Sequence, residues 1–191
     1  MENETILGID PGTTVMGYGI VNVKQGKMTL VQFGVLHLRK YPDHYDRLQK
    51  IFERLTHIIA EFGITQMALE APFFGKNVQS MLKLGRAQGV AMAAALARQI
   101  PVAEYAPRRV KQAVTGRGAA SKEQVAKMLQ SILHFEEMPE LLDATDAVSV
   151  AVCHYFQANS PTNSAPSGKK SGGKSGSWKA FLGDNPDRIS D

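Results

Sequence analysis

The chain has a single cysteine, no apolar run near the length of a membrane span, no internal repeat and no nucleophile elbow. Each absence removes a class. Cys153 alone cannot close an intrachain disulfide, and it lies in an apolar helical pattern, so a buried, reduced thiol is expected. A bilayer span needs about 20 apolar residues, so no membrane segment is expected. Met1-Glu2-Asn3-Glu4 does not have the basic, then apolar, layout of a signal peptide, and the expected location is the cytoplasm. Without Gly-x-Ser-x-Gly there is no serine elbow, and His154, adjacent to Cys153 on a helix, cannot face it as a base. His154 reads as structural. One glycine turn near the start, with no second phosphate-binding loop and no second domain, argues against a sugar kinase or an actin-like ATPase.

What is present is an ordinary globular composition, 43% hydrophobic and 21% charged over 191 residues, enough to bury one full core. The net charge of +4 is distributed unevenly. From Lys76 to Lys122 there are nine cations (Lys76, Lys83, Arg86, Arg98, Arg108, Arg109, Lys111, Arg117 and Lys122) against one acid, Glu104, which makes +8 there and −4 elsewhere. A basic third on a mildly acidic body is the footprint of a polyanion binder. A solvated basic face is the alternative.

Residues 5–10 read as a mostly apolar strand. Residues 16–23 and 28–38 alternate with period two around Lys24-Gln25-Gly26-Lys27, so an antiparallel three-stranded meander is expected. The period then changes: over 43–62, Leu48, Ile51, Phe52, Leu55, Ile58, Ile59 and Phe62 form one helical stripe closed by Gly63. Gln66 to Glu70 has the short apolar form of an inner parallel strand. Residues 77–99 predict a helix with small or flexible residues, Met81, Gly85, Gly89, Met92 and Ala93, on one face, suited either to a dimer contact or to the core. Pro101 to Tyr105 predicts another strand. Ser121-Lys122-Glu123-Gln124 is a capping box opening a helix with Val125, Met128, Leu129 and Ile132 inward, and a last helix is expected from about Leu142 to Phe156. Strands followed by β/α alternation give an α/β domain with a mixed sheet over 1–158. From 159 to 191 a Ser/Gly/Lys-rich tail, too polar to fold alone, carries one apolar island at Trp178–Leu182, either idle or a docking motif.

Four acids stand out. Asp10 ends the first strand in Gly8-Ile9-Asp10-Pro11-Gly12, where Asp-Pro-Gly is also turn chemistry, with glycine free to take positive φ. Glu70 ends an apolar strand beside Ala71-Pro72-Phe73-Phe74, and a charge there is costly unless it is paired, with Lys76 or Arg86, or metal-bound. Asp143 and Asp146 share one helical face; either could be a helix cap, but like charges on one face repel. Ligands on α/β sheets gather at strand carboxyl ends, where Asp10 and Glu70 sit. Converging carboxylates would titrate as a set, and two Mg²⁺ roughly 4 Å apart would neutralise them and clamp a scissile phosphate, with no nucleophilic side chain needed. Pro72 cannot continue a ladder, so Phe73 and Phe74 should leave the sheet near this site, where an aromatic could stack on an unpaired base.

The ordered set Gly8-Ile9-Asp10-Pro11-Gly12, Glu70, Lys76-Asn77, Lys83-Leu84-Gly85, Val110-Lys111-Gln112 and Asp143-x-x-Asp146 closely resembles the bacterial RuvC Holliday junction resolvases, over about residues 5–157. The resemblance implies a ribonuclease H-like fold, with a mixed central sheet (antiparallel meander plus parallel strands) flanked by helices. It implies a homodimer that nicks two strands of like polarity in a four-way DNA junction and works beside a RuvA–RuvB branch-migration complex. Asp10, Glu70, Asp143 and Asp146 would be the catalytic metal ligands, holding two Mg²⁺ ions that Mn²⁺ can replace. Lys111 and Lys122 would contact DNA, with Lys76, Lys83 and Arg108 as further basic contacts and Phe73 engaging a base at the crossover. A nuclease of the same fold acting on RNA or single strands, and a non-catalytic junction-binding scaffold, are the rivals.

Overall fold

A computed structural model of the chain describes residues 3–72, 77–135 and 142–159. Phe73, Phe74, Lys76 and the tail with Trp178 lie outside the described residues. The expected meander forms: β1 (Glu4–Asp10), β2 (Val15–Lys24) and β3 (Lys27–His37) pair antiparallel in sequence order. The β2–β3 turn holds Gln25 at φ 52° and Gly26 at φ 77°, the positive pair that a two-residue hairpin requires. β4 (Gln66–Glu70) and β5 (Val102–Tyr105) add in parallel on the other side of β1, giving the order β3-β2-β1-β4-β5.

Alternation along the strands supplies both faces of this mixed sheet with apolar side chains. On one face Leu7, Ile9, Met16, Tyr18 and Ile20 bury against α1 (His44–Phe62) and α2 (Val78–Leu96). On the other, Ile6, Val21 and Val23 bury against α4 (Lys122–Leu133) and α5 (Leu142–Ala158), while Ala68 meets α3 (Pro107–Thr115) and α5. The predicted caps are in place. Gly63 ends α1 in the left-handed region, and Ser121 and Gln124 exchange the reciprocal bonds of a capping box at the start of α4.

Four expectations need correction. Phe52 is 42% exposed and Met128 40% exposed, because each lies at the margin of its helix's apolar stripe, outside the arc that meets the sheet. In α4 the inward set is instead Val125, Ala126, Leu129 and Leu133, with Ile132 partly buried. α3 was not anticipated. Its nine residues offer only Val110 and Val114 as buried positions, but Pro107 at the first turn and Gly116 in the left-handed region are ordinary start and stop signals. Gly12 does not take positive φ; a Cβ on it would stand 1.7 Å from the Val15 carbonyl oxygen, so close approach is what demands glycine in that turn.

The small-residue face of α2 also has a definite place. Met92 packs against the core from a partly buried position and Met81 is half-buried, whereas Gly85, Gly89 and Ala93 are exposed, and a Cβ at either glycine would meet nothing within 4 Å. Core packing therefore does not account for them; α2 buries Ala87, Gln88, Ala91, Ala94 and Ala95 instead. No described helix is long and apolar enough to cross a membrane.

Candidate active site

The site forms where α5 lies directly on the sheet. A Cβ on Gly8 would be 2.1 Å from the Ala147 carbonyl oxygen, one on Gly17 2.1 Å from that of Asp143, and one on Gly19 2.5 Å from Val148 Cγ2. Gly8 pairs with Gly19 and Asp10 with Gly17 across β1 and β2, so these glycines make one bare patch into which the helix settles. Any larger side chain would hold the helix away. The patch brings the first turns of α5, with Asp143 and Asp146, beside Asp10 at the carboxyl end of β1.

One carboxylate oxygen from each of Asp10, Asp143 and Asp146 lies within 4.8 Å of the other two. Glu70 arrives from the neighbouring strand. The parallel register pairs Ile9 with Leu69, so Asp10 and Glu70 end adjacent strands side by side. Glu70 is outside the tight group of three, and the expected four-way convergence is a triad with a fourth acid at its flank. Together with Pro11, Ala71, Pro72 and Leu84, Asp10 and Glu70 line a small cleft.

Electrostatics ties the fourth acid to the set. Burial, then the charges of Glu70, Asp146 and Asp143, push Asp10 up from 3.8 to about 7, with Lys122 opposing. Glu70 is likewise raised, by burial first and then by Asp146, against Lys122 and Lys111. Among the described residues the ion pairs are Lys50–Glu53, His57–Glu61 and Lys122–Asp146, so Arg86 does not neutralise Glu70. Hard, anionic oxygen donors that destabilise one another's charged forms fit a hard divalent cation.

The candidate DNA contacts divide. Arg108 and Lys111 on α3 line a shallow groove with Ala106, Pro107, Gly118 and Ala119. Lys83 is exposed on α2, on the other face of the sheet, where it and Arg86 depress the basicity of His44 after burial does. Lys122 turns inward: its Nζ is 2.5 Å from Asp146 Oδ2, which holds the ammonium firmly protonated. Phe73 and Lys76 lie outside the described residues.

A description of one enzyme family, crossover junction endodeoxyribonuclease RuvC, matches residues 6–154. The chain belongs to the RuvC family. A RuvC from Cytophaga hutchinsonii is 59% identical over 184 residues, covering 96% of this chain and 87% of that one. A RuvC from Porphyromonas gingivalis is 55% identical over 186 residues, with 96% of each chain covered. Among solved structures, T. thermophilus RuvC in complex with a Holliday junction substrate superposes with a TM-score of 0.76 at 35% identity, over 81% of this chain and 94% of that one. The yeast mitochondrial resolvase Ydc2, at 14% identity and a TM-score of 0.60 over 78% of this chain and 77% of that one, shares the fold. The ribonuclease H-like reading of the mixed sheet and its flanking helices therefore holds, and the activity of the family is that of a nuclease.

The acids are positioned by features that leave little signature along the chain. The glycine patch is one such feature; Gly8 belongs to a motif that was read, but Gly17 and Gly19 gave no signal beyond their presence in a strand. Arg47 is another: its Nε donates to the Tyr41 carbonyl and its Nη1 to the Thr13 carbonyl, at 2.7 and 3.0 Å, tying α1 to the loop after Asp10. His154 is structural, as expected. The Tyr105 hydroxyl lies 2.8 Å from Nδ1 and Gln66 Oε1 2.5 Å from Nε2, bracing α5 against β4 and β5. Cys153 is fully buried and its thiol is pushed up to about 11 by burial, the setting of an inert structural thiol.

Proposed function

We propose that this RuvC-family chain resolves four-way DNA junctions by metal-dependent hydrolysis, with Asp10, Glu70, Asp143 and Asp146 holding two Mg²⁺ ions, Mn²⁺ substituting. The observation that carries this reading is the triad of carboxylate oxygens within 4.8 Å, set at the strand ends and bordered by Lys111 and Lys122. Divalent ions bound there would activate the attacking water and stabilise the leaving oxygen. The chain's own residues do the remaining work. Asp10 and Glu70 fix their carboxylates through strand register, and α5 holds Asp143 and Asp146 rigidly above Gly17. Arg108 and Lys111 present positive charge to the phosphate backbone on one side of the site, and Lys76 and Lys83 belong to the wider basic surface. Phe73, immediately after the Pro72 lining of the cleft, supplies an aromatic face for an unpaired base at the crossover.

Two strands of like polarity are nicked by two copies. The exposed face of Gly85, Gly89 and Ala93 on α2 is the surface that serves the homodimer, whose two-fold axis matches the symmetry of the junction. Residues 1–158 constitute the nuclease domain and 159–191 a Ser/Gly/Lys-rich tail. The setting is the cytoplasm, where a RuvA–RuvB complex would deliver the junction.

The test is a labelled synthetic four-way junction on a denaturing gel, with Mg²⁺ and with EDTA. Paired, symmetric, Mg²⁺-dependent nicks that a ligase seals are expected; a junction bound but uncut in both conditions removes the catalytic assignment. Lys111→Ala should weaken junction binding and lower the magnitude of the salt slope, −d log K/d log[salt], by about 1, the loss of one phosphate contact. An unchanged slope would place Lys111 off the DNA.

A further inference from the structure

Lys122 is out of place in two independent ways. It is the first residue of α4, where the exposed backbone N–H groups and the helix dipole favour an acid and disfavour a cation. Its side chain is also 48% exposed, yet its ammonium turns from water to the 19% exposed carboxylate of Asp146, 2.5 Å away and 24 residues later in the chain. The contact has a clear electrostatic cause. Asp146 stands within 4.8 Å of two other carboxylate oxygens, and Lys122 counteracts the charge that this group imposes on both Asp10 and Glu70.

A divalent ion held by Asp146 would bond at about 2.0–2.1 Å to the carboxylate that Lys122 contacts. An ammonium and a divalent cation a few ångströms apart repel strongly, so the two cannot share Asp146 without cost. The lysine has somewhere else to go. Its exposed stem gives it reach into solvent, and it lies on the same side of the site as Lys111, with which it acts jointly on Glu70.

We propose that Lys122 is the resident cation of the metal-free site, and that metal binding exchanges it from Asp146 onto a phosphate of the bound DNA. The inference rests on the metal-nuclease reading above and adds a coupling to it. Metal and DNA then favour each other through one side chain: the ion releases the ammonium to the phosphate, and a phosphate that takes the ammonium opens Asp146 to the ion. Such coupling is reciprocal by necessity.

The exchange is tested by Mn²⁺ titration of the full-length, DNA-free protein at neutral pH, read from the electron paramagnetic resonance signal of free Mn²⁺. Wild type, Lys122→Met and Lys122→Arg are compared, and thermal melting verifies that each is folded. Lys122→Met is expected to bind Mn²⁺ about fivefold more tightly than wild type, the scale of one partly exposed ion pair, and Lys122→Arg to stay near wild type. Weaker binding by a folded Lys122→Met overturns the exchange, because removing a competing cation can only tighten the site. In the second arm, the gain in junction affinity on adding Ca²⁺ should be larger for wild type than for Lys122→Met. Equal Mn²⁺ affinities, or equal Ca²⁺ gains, overturn the exchange while leaving the nuclease reading intact. Failure of wild type and both variants to bind Mn²⁺ at all overturns that reading together with this one.

Discussion

Asp10→Asn is expected to lower junction cleavage by roughly 10³-fold while leaving junction binding within a few-fold of wild type. The asymmetry has a structural cause. Asp10 belongs to the carboxylate triad, whereas the positive charge available to DNA lies on α3 and at Lys122. Removing one acid from an already repulsive group does not weaken attraction for a polyanion. The substitution should also change stability, in a direction that depends on pH. The carboxyl of Asp10 is raised from 3.8 to about 7 in the folded chain, so the folded state binds a proton more tightly than the unfolded state does. Its contribution is therefore most favourable below about 4, is lost as pH rises toward 7, and is a net cost above that. The displacement sets a ceiling of about 4 kcal/mol on that cost. In EDTA at pH 7.5, Asp10→Asn should accordingly be more stable than wild type, with the advantage gone near pH 4. Saturating divalent ion should restore wild type by satisfying the same charge. Thermal melts across pH with and without metal measure this, and a variant that still cuts at the wild-type rate would exclude Asp10 from the metal site.

Gly17→Ala is the second large effect, and no catalytic atom is changed. The added methyl would stand 2.1 Å from the Asp143 carbonyl oxygen and 2.7 Å from its carbon, both backbone atoms that cannot rotate away. Either α5 lifts or β2 sinks. Overpacking of this kind costs about 1–3 kcal/mol, and a backbone clash belongs at the upper end. The displaced turn carries Asp143 and, one turn on, Asp146. A shift near 1 Å in a positioned group is worth about 10² in rate, so cleavage should fall by that order even in the fraction that remains folded. Urea midpoints paired with single-turnover cleavage at saturating protein separate the two losses. If Gly17→Ala keeps both its midpoint and its rate, α5 is not seated on β2 as described.

The boundary between what could and could not be read in advance follows the range of the interactions. The meander, the parallel strand ending at Glu70 and the capping box at Ser121 were legible because each depends on residues a few positions apart. α3 was equally local and still passed unread. Its basic residues left two buried valines as the whole periodic signal, and only Pro107 and Gly116 marked its ends. Phe52 and Met128 show the opposite error, in which a correct stripe was drawn wider than the surface that covers it.

The sequence alone was sufficient for the α/β class and the family, and it singled out four acids as candidates, since residue types at strand ends and along one helical face are properties of the local chain. Tertiary structure decided how those acids are arranged. Asp10, Asp143 and Asp146 form a triad because three strand glycines let a helix more than a hundred residues away touch the sheet; Glu70 stands at its flank because it comes from the next strand. The contact of Lys122 with Asp146, 24 residues further along the chain, had no signature in the sequence. Periodicity is set by bonded neighbours and can be read along a chain, whereas close approach and ion pairing depend on which distant segments share a face, and no local pattern specifies that.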